Sequence, residues 1–117
     1  MGKRPYYIIQ YDRDCDGYYS DIVYLGTNYK AALDRYVATI DNIKREDFLE
    51  SGIHEEDIRM NVNLPNEPLA PGQQVSSWMN DDNECWDTII LKCMNAHQFS
   101  RERWETDYKN RFPNSKY

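Results

Sequence analysis

Tyr6-Tyr7-Ile8-Ile9-Gln10-Tyr11 and Tyr18-Tyr19-Ser20-Asp21-Ile22-Val23-Tyr24-Leu25, separated by Asp12-Arg13-Asp14-Cys15-Asp16-Gly17, decide how this chain is read. Aromatic and β-branched side chains suit a pleated backbone, and Asp16-Gly17 is a turn signal, so the stretch is predicted to be a β-hairpin. Apolar residues occupy both parities of the first strand. That predicts cover on both of its faces and a place inside a sheet. A lone hairpin is marginal in water, so other elements must pack on it.

The rest of the chain supplies those elements. Gly26-Thr27-Asn28 closes the second strand and offers capping oxygens, and Tyr29, Ala32, Leu33, Tyr36, Val37 and Ile40 then share one helical face. Asp41-Asn42 is a point of interruption, after which Ile43 to Glu50 is expected as a second short helix or a bent continuation, stopped by Ser51-Gly52. Ile58 to Leu64 alternates apolar and polar, which predicts a strand with Arg59, Asn61 and Asn63 on its wet face. Pro65, Pro68 and Pro71 make residues 65–74 a loop. Val75 to Met79 and Glu84 to Met94 bracket Asn80-Asp81-Asp82-Asn83 as a second hairpin. Ser100 to Phe112 reads as a helix striped by Trp104, Tyr108 and Phe112, ended by Pro113, with residues 113–117 as a flexible tail. The order strand, strand, helix, strand, hairpin, helix predicts one α+β domain over 1–117. Its core is a mainly antiparallel sheet of four to five strands with helices packed on one face.

Composition bounds the function. The 117 residues carry 14 bases and 20 acids, a formal charge of −6, with 40% apolar and 14% aromatic side chains. That is enough apolar bulk for a core, and it excludes general disorder. No transmembrane run or signal-peptide pattern occurs, so a soluble cytoplasmic protein is expected. The acidic total argues against binding the nucleic-acid backbone, which needs a basic footprint. From Asp12 to Asp87 there are 17 acids and six bases, so the charge is concentrated in an acidic body between basic ends. The cysteines, Cys15, Cys85 and Cys93, are odd in number, which favours free thiols in a reducing compartment over a secreted disulfide framework.

Three chemistries compete against this background. Asp12-x-Asp14-x-Asp16-Gly17 matches the start of a calcium loop, where alternate carboxylates converge on a hard cation and glycine makes the bend. The twelfth position, which should be a bidentate Glu, is Val23, so an acidic hairpin turn is the stronger reading. Asp12, Asp14 and Asp16 are then ligands only for weakly held calcium, with Ser20 or Asp21 as helpers, and no other cofactor is expected. Zinc is disfavoured, because Cys15, Cys85, Cys93, His54 and His97 contain no Cys-x-x-Cys pair. Nothing resembles a nucleophile elbow or a phosphate-binding glycine loop, so no enzyme is expected.

What remains is acid mixed with aromatic rings. Glu46, Asp47, Glu50, Glu55, Glu56 and Asp57 form one cluster, and Asp81, Asp82, Glu84 and Asp87 form another beside Trp78 and Trp86. Carboxylates with rings suit the recognition of Arg and Lys, through salt bridges and cation–π contacts. Eight of the ten tyrosines precede residue 37, and one member each of Tyr6/Tyr7 and Tyr18/Tyr19 is expected at the surface. In size and charge the chain resembles small acidic inhibitors of nucleases and other DNA-binding proteins, including phage anti-CRISPR and DNA-mimic proteins. The likeness is one of composition and carries over no residue. It implies a non-catalytic interaction module that occupies the basic groove of a partner, with no direct contact to nucleic acid or membrane. The alternative is a small calcium- or ligand-binding domain centred on the Asp12–Gly17 turn.

Overall fold

β1 (Tyr6–Asp14) is hydrogen-bonded along both edges, antiparallel to β2 (Tyr18–Gly26) on one side and to β5 (Trp86–Met94) on the other. β4 (Gln74–Asn80) pairs with β5, and β3 (Arg59–Asn61) with β4, also antiparallel. The sheet therefore has five strands in the order β2-β1-β5-β4-β3. This computed structural model describes residues 5–15, 17–80 and 85–95. The predicted helix from Ser100 to Phe112 and the tail at 113–117 lie outside them.

The two-sided pattern of β1 has its expected result. Tyr7 and Ile9 face the core under the helix, Ile8 faces the opposite side of the sheet, and all three are buried. Between Ile9 and Gln10 the register with β2 shifts, so that Val23 is an extra residue on β2. Such a bulge sharpens the local twist of the strand. In the hairpin turn Gly17 sits at φ +142°, where L side chains are rarely found, and its carbonyl accepts from the Cys15 N–H at 3.0 Å.

α1 (Tyr29–Ile43) starts where Asn28 accepts a hydrogen bond from the Ala31 N–H at 2.9 Å through its side-chain oxygen. Ala32, Tyr36, Ile40 and Ile43 form its buried stripe. Asp41-Asn42 does not interrupt the helix. Instead the backbone widens into a π-helical turn at Lys44–Leu49, in which the Glu50 N–H bonds the Arg45 carbonyl, five residues back, at 2.8 Å. Phe48 follows Ile43 by five positions, which at about 100° per residue would carry it well off the α-helical stripe. The wider turn returns it to the core, where it is 1% exposed. Gly52, at φ +94°, ends the run and bonds the Leu49 carbonyl at 3.1 Å. A single 3-10 turn, Glu55–Asp57, leads into β3.

β3 is shorter than its alternation implies. Only Arg59–Asn61 pairs with β4, and Val62 and Leu64 are exposed. Side-chain bonds draw the chain off the ladder beyond that point. The Asn63 N–H donates to Ser77 Oγ at 2.9 Å, its Nδ2 donates to the Ser76 carbonyl at 2.9 Å, and the Tyr36 hydroxyl reaches the Asn63 carbonyl at 3.0 Å. The Tyr36 and Ser77 hydroxyls are 2.6 Å apart and buried, so this network also ties α1 to β4. The proline-rich loop holds no helix, and strand begins only at its last residue, Gln74. It is pinned to the sheet by the Gly72 N–H on the Cys93 carbonyl at 2.8 Å and the Cys93 N–H on the Gln73 carbonyl at 3.0 Å.

The expectation of three free thiols is corrected. Cys15 and Cys85 form a disulfide with their Cα atoms 4.4 Å apart, and Cys93 is buried and free. The register explains the pairing: Asp14 lies opposite Trp86, so Cys15 and Cys85 are the next pair outward along the same ladder. Counting cysteines and weighing compartments gave no access to that geometry. Among the described residues no helix is long and apolar enough to cross a membrane.

Three outcomes follow. Under denaturing conditions without reductant, one thiol should react with a chromogenic disulfide reagent and three after reduction; three before reduction would refute the bond. Reduction should lower stability by about 2–4 kcal/mol in denaturant melts, because the bond closes a long loop of the unfolded chain. Tyr36→Phe should cost about 1 kcal/mol by removing the shared hydroxyl, also read from denaturant melts.

Candidate partner interface

The acidic segment following α1 lies on the helix-bearing side of the sheet. Glu46, Glu50, Glu55, Glu56 and Asp57 are exposed. Lys44 Nζ bonds Glu55 Oε1 at 2.7 Å, and Arg45 Nη2 reaches Glu46 Oε1 at 3.4 Å and Asn42 Oδ1 at 3.0 Å. The bond from Lys44 holds the Glu55 carboxyl below its ordinary range. Among the described residues Glu50, Glu56 and Asp57 make no ion pair.

Asp47 belongs to the same stretch but turns inward. Its Oδ2 accepts from the Tyr11 hydroxyl at 3.3 Å and lies 3.5 Å from Arg13 Nη1. Asp87, on β5 opposite Arg13, is fully buried; its Oδ1 accepts from the Tyr11 hydroxyl at 2.9 Å and lies 3.7 Å from Arg13 Nε. Tyr11, Arg13, Asp47 and Asp87 therefore make one polar cluster joining β1, β5 and the π-helical turn. Burial, and then the charge of Asp87, pushes the Tyr11 hydroxyl pKa well up. Burial opposes the Arg13 charge, but Asp87, Tyr11 and Asp47 outweigh it, and its pKa rises. Asp87 is thus an interior acid and no part of a surface patch. Asp81, Asp82 and Glu84, grouped with it in sequence, lie outside the described residues.

Trp78 and Trp86 sit on the opposite face of the sheet, with ring centroids 5.1 Å apart. Asp12 and Asp14 share that face, because Asp12 lies opposite Thr88 and Asp14 opposite Trp86. Both aspartates stand in a strand laddered on each edge, and Asp12 Oδ1 is taken up by Ser20 Oγ at 2.6 Å and Gln10 Nε2 at 2.8 Å. Asp16 lies outside the described residues. Among the described residues no three His, Cys, Asp or Glu side chains gather in a way that could hold a metal ion. Tyr18 and Tyr19 are both exposed, since β2 is an edge strand, while Tyr7 is buried and Tyr6 half-buried. The Tyr19 hydroxyl donates to Asp21 Oδ2 at 3.0 Å.

The sequence reading missed the Tyr11–Arg13–Asp47–Asp87 cluster. A signal for it existed, because Arg13 has the same strand parity as the buried Tyr7 and Ile9 and so had to face inward toward an acid. No family model, curated protein or solved structure matches the chain.

The cluster has a readout at alkaline pH. The raised pKa keeps the Tyr11 proton on in the folded protein above pH ~10, where an unfolded tyrosine loses it. The stability contributed is complete below that pH and declines as pH rises above it. Ultraviolet titration of the folded protein should show phenols that ionise only on unfolding, Tyr11 and the buried Tyr36 among them, and Tyr11→Phe should lower their number by one.

Proposed function

We propose that this protein is a non-catalytic interaction module: a small acidic inhibitor that occupies a basic, nucleic-acid-binding groove of a partner protein, in the manner of DNA-mimic and anti-CRISPR inhibitors. The observation that carries the reading is the exposed group Glu46, Glu50, Glu55, Glu56 and Asp57, which among the described residues pairs only with the two bases Lys44 and Arg45. Glu46 and Glu50 are presented by the end of a helix anchored through Phe48 and Ile43, and Glu55, Glu56 and Asp57 by the 3-10 turn that follows it. Fixed charges of one sign complement a groove of the other sign, speed association and suppress wrong partners. The inward use of Asp47 and Asp87 supports the contrast, because carboxylates that stabilise the fold are paired with Arg13 while those of the group are not.

The proposed place of action is the cytoplasm, where such a partner works on nucleic acid. Disulfides are uncommon there. The thiol count described above, made on protein alkylated at lysis, shows which form meets the partner.

The test compares the protein with a Glu50→Lys, Glu56→Lys, Asp57→Lys variant as bait in lysate of the source cell. The wild type should retain a basic nucleic-acid-binding protein that salt elutes, and the variant should lose at least about tenfold of it. The three sites are exposed, so the variant's melt should shift by no more than about 0.5 kcal/mol. Equal recovery by both baits would refute the reading.

A further inference from the structure

The face of the sheet turned away from α1 carries a second grouping that the sequence does not place together. In the row nearest the β1–β2 turn, Tyr18 on β2 lies opposite Asp14 on β1, and Asp14 lies opposite Trp86 on β5. Tyr18 is 69% exposed and Trp86 45%, and Asp14 is exposed between them. Trp78 packs against Trp86 and extends the aromatic surface toward β4. Two large rings left in water on the strands either side of β1 are unusual in a chain that buries Tyr36 and Phe48 completely. On adjacent strands, about 5 Å apart, ring and carboxylate reach the same bound group. Among the described residues the nearest base at this level of the face is Arg59 on β3, two strands from Trp86 and three from Asp14, so about 14 Å from the carboxylate's strand.

We propose that Tyr18, Asp14 and Trp86 form a docking strip for an arginine-bearing segment of a partner protein. Charge complementarity selects a cation, since the strip carries a carboxylate and no base of its own. The rings select arginine over lysine. A guanidinium is planar and weakly hydrated, so it can stack on Trp86 or Tyr18 while its N–H groups donate to Asp14, whereas an ammonium is a compact, strongly hydrated point charge. The proposal rests on the reading of the protein as a partner-binding module, but it uses the face of the sheet opposite the Glu46–Asp57 group. Failure of one surface is therefore separable from failure of the other.

The test titrates the intact, oxidised protein at low salt with an oligo-arginine peptide and with an oligo-lysine peptide of equal length. Affinity is read by calorimetry, and the indole N–H resonance of Trp86, assigned with Trp86→Phe, is followed by NMR. Oligo-arginine should move that resonance and bind at least about fivefold more tightly than oligo-lysine. Asp14→Asn and Tyr18→Ala, both at exposed positions, should each weaken oligo-arginine about five- to tenfold. A Glu50→Gln, Glu56→Gln variant should bind within about twofold of wild type. Equal weakening by the two sets of variants, an unmoved Trp86 resonance, or equal affinity for the two peptides would overturn the proposal. So would sedimentation as a dimer that Tyr18→Ala makes monomeric, which would assign the strip to a second copy of the chain.

Discussion

The antiparallel register between β1 and β5 is the constraint on which the rest of this structure depends. Nine consecutive residue pairs, from Tyr6 opposite Met94 to Asp14 opposite Trp86, are set by one alignment. It stacks Ile9 on Leu91 and Tyr11 on Ile89 in the core, brings Arg13 to Asp87, and leaves Cys15 facing Cys85. A slip of one residue would turn Tyr7 and Ile9 away from α1 and bring charged or polar neighbours inward. The disulfide and the Arg13–Asp87 ion pair thus lock the same alignment that apolar packing selects. Both sit at the end of the ladder, where strand pairs otherwise fray.

Two polar seams accompany that apolar core. In one, the Tyr36 hydroxyl, Ser77 Oγ and the Asn63 backbone satisfy one another; in the other, Arg13 and Tyr11 serve Asp47 and Asp87. Buried hydrogen bonds contribute modest net stability but cost heavily when a partner is removed. Their effect is mainly to forbid alternatives. The first seam ends β3 at Asn61 and fixes where the proline-rich loop begins, and the second fixes the π-helical turn over β1. The second seam is also the more consequential for function, because it takes two carboxylates out of the acidic total before any partner is met.

Much of the architecture was legible in the sequence because it is written in local periods. The tyrosine-rich hairpin, the helical stripe through Ala32, Tyr36 and Ile40, the arms of the second hairpin and the loop after Pro65 all rest on spacing within about a dozen residues. What was not legible depends on pairings between residues far apart in the chain. The Cys15–Cys85 bond spans 70 positions, and the inward turn of Asp87 toward Arg13 spans a similar distance. β3 fell short of its alternating pattern for the same kind of reason, since Ser76, Ser77 and Tyr36 compete for Asn63. For the candidate surface, the row of exposed acids after α1 was visible in sequence. The grouping of Asp14 with Trp86 and Tyr18 was not, because the calcium-loop pattern drew Asp12 and Asp14 into a different explanation.

The structure therefore sorts an undivided acidic charge into fates with different consequences. Asp47 and Asp87 share Arg13 and the Tyr11 hydroxyl, Asp12 is engaged by Ser20 and Gln10, and Glu46 and Glu55 are partly offset by Arg45 and Lys44. Among the described residues the carboxylates left outward include Glu50, Glu56 and Asp57 after the helix, Asp34 and Asp41 on it, Glu67 in the proline-rich loop, and Asp14 among the rings on the other face of the sheet. Arg13 and Asp87 are direct chain neighbours of Asp14 and Trp86, so their ion pair and the exposed strip share the same stretch of backbone. A surface whose backbone is already fixed by a disulfide, an ion pair to a buried carboxylate and ladder bonds on both edges loses little conformational entropy when it binds. The charges that stabilise the fold thereby pre-organise those left for recognition.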